Sequence, residues 1–167
     1  MDRETLISQL TFFHGLISAS EGLLLRAITK SDGLLKGYYI DHLEEEAGHA
    51  AWLAKDLTES GVEIPSIHWQ AAMLAGVQYY LIEHVSPYAL LGYIAALESG
   101  NRAMAELEAL EQEHGKTLLR TYRYHVEHDP AHSQRAFEMI EAAPTDQIAI
   151  IADNALQTAT YIRGVFV

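Results

Sequence analysis

Apolar residues recur at three- and four-residue intervals along nearly the whole chain, and no stretch alternates with period two. That pattern predicts helices and no sheet. Leu6, Leu10, Phe13, Leu16 and Ile17 mark the apolar face of a first helix from about Asp2 to Thr29, and Ser31-Asp32-Gly33 turns the chain after it. A second helix is predicted from Leu34 to Ser60, closed by Gly61, which takes the left-handed conformation at little cost. Ser66 suits the N-cap of a third helix that ends near His84. Ser86-Pro87 restarts the chain, and a fourth helix runs on through Leu91, Ile94 and Glu98 to about Glu113. A fifth covers Lys116 to His128. Asp129-Pro130 is then either a kink or a new start, because proline removes a helix bond, and a sixth helix reaches Ala142. Thr145 can cap a last helix through Ile148, Ile151, Ala155 and Ile162. The expectation is an all-α fold, a compact bundle of about six to seven helices, forming one domain over residues 1–167.

Composition narrows what such a bundle can do. The formal net charge of -12 makes nucleic acid and anionic membrane surfaces poor partners. No apolar run approaches twenty residues, so no transmembrane helix is expected. The opening Met1-Asp2-Arg3-Glu4-Thr5 begins a helix rather than a secretory leader, and a cytoplasmic location is the default expectation. The absence of cysteine excludes disulfides, thiolate metal sites, iron–sulfur clusters and cysteine nucleophiles. Nine histidines remain, and their placement carries the chemistry.

Glu46 and His49 stand three residues apart, so a helix would put both on one face, within a stripe that also takes in His42 and Glu45. About eighty residues later His125, Asp129 and His132 follow at spacings of four and three, again one face of an unbroken helix. Asp129 before Pro130 would equally suit an N-cap. Glu98 ends the apolar run Leu90-Leu91-Gly92-Tyr93-Ile94-Ala95-Ala96-Leu97, and a carboxylate so placed is expected to be buried and to need a partner. Carboxylate and imidazole together suit iron, manganese and zinc. A rival pattern pairs Glu111 and His114 with Glu21 and Glu83, although Gly115 and the Ser86-Pro87 break leave those residues awkwardly placed. His14 and the tyrosines read as packing residues.

Three segments together resemble the haem-oxygenase-like di-iron oxidase superfamily, which includes alkene-forming fatty-acid decarboxylases and N-oxygenases. They are His42-Leu43-Glu44-Glu45-Glu46-Ala47-Gly48-His49, then Leu91 to Glu98, then His125-Val126-Glu127-His128-Asp129-Pro130-Ala131-His132. The resemblance implies a haem-oxygenase-like fold and two iron ions, with manganese as the alternative metal. It implies Glu46, His49, Glu98, His125, Asp129 and His132 as the ligands, with Glu45 the alternative to Glu46. The implied activity is oxidation or oxygenation of a small organic substrate by O2. Thiaminase-like relatives use a cysteine that this chain lacks. Competing readings are a non-enzymatic metal-binding or interaction bundle, and a metal-free enzyme on the same fold. The substrate and the oligomeric state are left open, with a homodimer as the natural way for a short bundle to cover apolar faces.

Overall fold

A computed structural model describes residues 1–100 and 103–166. Among these residues there are eight α-helices and no strand: α1 (Arg3–Lys30), α2 (Gly33–Glu46), α3 (His49–Glu59), α4 (Trp69–His84), α5 (Ala89–Glu98), α6 (Met104–His114), α7 (Arg120–Glu141) and α8 (Ile148–Val165). Short 3-10 turns, Thr117–Leu119 and Thr145–Gln147, lead into α7 and α8.

The predicted second helix is two helices. Ala47 leaves the helical region and Gly48 is left-handed (φ 87°), so the chain breaks between Glu46 and His49. Glu21 of α1 accepts the Gly48 N–H at 3.1 Å, which holds the junction against the long first helix. The end of α3 is as predicted. Gly61 is left-handed, its N–H reaches the Thr58 carbonyl, and the Val62 N–H reaches the Leu57 carbonyl. Those two bonds form a Schellman cap, with Val62 and Leu57 buried in one cluster.

Other boundaries shift for local reasons. The imidazole of His68, not Ser66, caps α4 by accepting from the Ala71 N–H. Ser86 is not the N-cap of α5, which begins at Ala89 after Tyr88; its hydroxyl instead accepts from the Tyr88 N–H in the preceding turn and donates to Gln147. The predicted fourth helix becomes α5 and α6, and its middle at 101–102 lies outside the described residues. The predicted fifth and sixth helices are one helix, α7, which runs straight through Pro130. The proline costs the Val126 carbonyl its helical partner, yet the face carrying His125, Asp129 and His132 stays in register.

Two apolar clusters hold the helices. One joins α1, α2, α4, α5 and α8 through Phe12, Leu23, Tyr39, Leu74, Leu91 and Ile151. The other joins the start of α1 to α3, α6 and the entry to α7 through Leu6, Leu53, Leu57, Leu107 and Leu119. Each fully buried leucine contributes about 1.5–3 kcal/mol. α5 packs closely on α8, and that approach needs Gly92. A β-carbon there would collide with the Ile151 carbonyl oxygen and stand 2.9 Å from the Ala155 nitrogen. This packing buries α5 along most of its length, so Glu98 at its end is carried inside the bundle.

Candidate metal centre

The site lies where four helices converge. The end of α2 supplies His42 and Glu46, the start of α3 supplies His49, the end of α5 supplies Glu98, and the middle of α7 supplies His125, Asp129 and His132. Glu46, His49, Glu98, Asp129 and His132 are buried, and His125 is mostly so.

Glu46, His49 and His125 each offer one ligand atom, and these three atoms lie within 4.8 Å of one another. His49 Nδ1 stands 3.3 Å from Glu46 Oε2, so the glutamate and histidine stay adjacent although they sit on different helices. The two imidazole rings of His49 and His125 meet edge to face, with centroids 5.0 Å apart. His125 Nδ1 lies 3.0 Å from Asp129 Oδ1, which draws the aspartate into the same cluster. Asp129 is therefore not an N-cap.

Glu98 and His132 belong to the neighbouring part of the site. Glu98 Oε1 faces His42 Nε2 at 3.4 Å, and His132 Nε2 faces Glu45 Oε2 at 3.8 Å. The register between the adjacent glutamates is decided by geometry. Glu46 is against His49, whereas both Glu45 oxygens are taken by the Arg135 guanidinium, one of them at 2.6 Å. His42 is the site residue that sequence reasoning noticed on the stripe but left out of the ligand set. Its signal was the spacing 42, 46, 49, which returns to the same helix face every three or four residues.

The electrostatics fit a cation. Burial raises the Glu46 carboxyl, but the His49 contact and the charges of His125, His49 and His42 outweigh it and hold the group below its usual range. Burial lowers the His125 imidazole, yet its bond to Asp129 and the charges of Asp129 and Glu46 raise it overall. Burial, with the charges of Asp129 and Glu46, pushes Glu98 up to about 9, so it holds a proton at neutral pH. Among the described residues His125 Nε2 and His132 Nδ1 are buried without a hydrogen-bond partner. Imidazole nitrogens left bare beside carboxylates are donors that a metal ion would satisfy. On that ground the residues fit a metal centre.

A cavity of about 140 Å3 adjoins these groups. Its polar lining includes His42, Glu46, Glu98, His125 and Asp129, and its apolar lining comes from residues such as Leu10, Phe13, Leu16, Leu90 and Ile94. Tyr93 also lines it and brings a buried hydroxyl that has no hydrogen-bond partner among the described residues, a group read from sequence only as packing.

The rival ligand set is dispersed. Glu111 is clasped by Arg123, Glu83 by Arg26 and Lys30, Glu21 holds the Gly48 N–H, and His114 reaches the Met1 carbonyl.

Residues 16–161 match the family model of iron-containing redox enzymes. The chain belongs to that family. The matched span takes in every donor described above. The fold is haem-oxygenase-like. A crystal structure of a domain of unknown function with a heme oxygenase-like fold from Shewanella denitrificans OS217 superposes with a TM-score of 0.79 at 16% identity. The alignment covers 99% of this chain and 78% of that one, and at such identity it speaks for the fold alone. No curated protein matches the chain. Among the described residues no helix is long and apolar enough to cross a membrane.

Proposed function

We propose that this member of the iron-containing redox enzymes is a non-haem di-iron oxidase or oxygenase acting with O2 on a small organic substrate. The observation that carries the reading is the buried trio Glu46, His49 and His125, three donors of the right chemistry within 4.8 Å, beside a mainly apolar cavity. Glu46, His49 and His125 would hold one ion, and Glu98, Asp129 and His132 the other. Iron bound by carboxylates and imidazoles supplies O2 activation.

The chain's own residues do the rest. Asp129 fixes the ring of His125 through Nδ1 and leaves Nε2 as the donor. Glu98, protonated at neutral pH, would have to give up that proton to hold an ion. The leucine and phenylalanine walls exclude water and favour an apolar substrate body, while the Tyr93 hydroxyl offers it one hydrogen bond.

Anaerobic Fe(II) titration tests the proposal. We expect saturation near two ions per chain, followed by O2 consumption in proportion to bound iron. A wild-type protein that takes up no more iron than the His49→Ala, His125→Ala variant ends the proposal.

A further inference from the structure

His42 has no role in the ligand set derived so far, yet it is as buried as the residues that do. Only 6% of it is exposed. It sits on α2 one turn before Glu46, and it lines the cavity together with Glu46, Glu98, His125 and Asp129. Its ring is fixed on several sides. Tyr38 stacks on it with centroids 5.7 Å apart and planes 14° from parallel, and His132 meets it edge to face at 6.0 Å. Nε2 points at Glu98 Oε1, 3.4 Å away. Nδ1 faces the other way, toward Glu45 Oε2 at 4.0 Å. Glu45 in turn is held by both arms of Arg135 from α7.

That order, Arg135 to Glu45 to His42 to Glu98, places a carboxylate behind an imidazole whose far nitrogen faces another carboxylate in the cavity. A histidine that binds a metal through one nitrogen ordinarily gives its other N–H to a carboxylate, which fixes tautomer and ring orientation. A packing histidine needs no such backing. An isolated contact to Glu98 would not explain why Arg135 is committed to Glu45, nor why the ring is aligned by stacking on Tyr38. His42 faces Glu98 and meets the ring of His132, while His49 and His125 gather around Glu46. Counted this way, the two halves carry two imidazoles each.

We propose that His42 is a further ligand of this centre, binding through Nε2 the ion shared by Glu98, Asp129 and His132, with Glu45 positioned by Arg135 as its Nδ1 partner. The inference rests on the two-ion reading above, and it adds a seventh donor and a fourth imidazole. Four donors on the second ion, two of them imidazole nitrogens, leave it fewer open positions than the first. Exogenous ligands such as azide would then bind the His49 side in preference.

Co(II) substitution separates this inference from the reading beneath it. Each imidazole bound to Co(II) shows one strongly shifted, exchangeable N–H proton in the NMR spectrum. We expect wild type to bind two Co(II) and to show four such signals. His42→Phe keeps the ring on Tyr38 but has no nitrogen; it should lose one signal and bind the second Co(II) at least tenfold more weakly. Glu45→Gln should keep all four signals and shift one. Two bound ions with three signals in wild type would overturn the role of His42 and leave the di-metal centre standing. No uptake of Co(II) by wild type would overturn both. The wild-type signal count does not depend on the variants folding.

Discussion

Two buried polar clusters share the same pair of helices and have opposite characters. Seven residues after His49 on α3 lies Asp56, and four residues before His125 on α7 lies Thr121. Asp56 is 3% exposed, and all of its acceptor capacity is used. Arg120 Nε and Nη2 reach Oδ1 at 2.8 and 2.7 Å, and the Thr121 N–H and hydroxyl reach Oδ2 at 2.7 and 2.6 Å. Two turns back along α3 and one turn on along α7, the same helices present His125 Nε2, without a hydrogen-bond partner among the described residues, beside Glu46 and His49. One cluster is closed and fixes the entry of α7 against α3. The other is built from equally buried groups but leaves donors bare toward a cavity. Completed hydrogen bonding marks the joint, and unmet coordination marks the site.

That contrast can be broken at either end. The largest effect is expected at the open cluster. His125→Ala should weaken binding of the first iron by about 100-fold or more, since a donor is lost outright. Thermal unfolding of the metal-free variant should change little, and isothermal titration with Fe(II) or Co(II) under argon reads the difference. Next comes the closed cluster. Asp56→Ala strands the buried Thr121 N–H and hydroxyl while Arg120 keeps Glu59, and should cost about 2 kcal/mol in urea unfolding while two ions still bind. A third test uses Glu98. Its carboxyl titrates near 9 in the folded, metal-free chain against an ordinary value of 4.5. Between those values the unfolded chain has released a proton that the folded chain keeps, so this group lowers stability as pH rises. Glu98→Gln should flatten that slope and stabilise the metal-free protein more at pH 8 than at pH 5, while abolishing tight binding of the second ion. A metal-free wild type equally stable at pH 5 and pH 8.5 would contradict the buried, protonated state of Glu98. The smallest effect belongs to the exposed pair Lys55–Glu59, 3.9 Å apart on the outer face of α3. Lys55→Ala should move stability by about 0.5 kcal/mol or less.

Much of this was legible in the sequence because helical spacing is geometric. His125, Asp129 and His132 share a face whether or not proline follows, and α7 keeps that face through Pro130. Glu98 was legible because eight mainly apolar residues before a carboxylate can be buried only with it. The break at Gly48 was not legible. A glycine among helix formers reads as helix with modest cost, and what stops it here is Glu21, twenty-seven residues earlier, holding its N–H. Glu46 and His49 thus meet across a helix junction and not along one helix. The choice between Glu45 and Glu46 also needed tertiary structure, because Arg135 lies ninety residues away in sequence. His42 was visible on the stripe, but its backing by Glu45 and its approach to Glu98 depend on α5 and α7.

Gly92 gives the packing of α5 a reach beyond its own contact. The bare backbone there lets α8 come down onto α5, and α5 ends at Glu98. A helix that contributes no donor therefore sets how far one carboxylate projects among the histidines. Any change that thickens this seam, a methyl group at position 92 or a bulkier neighbour for Ile151, would be felt at the opposite end of α5 as a misplaced oxygen. Selectivity between ions of different radius could then be tuned from the back of the molecule, without touching a single coordinating side chain.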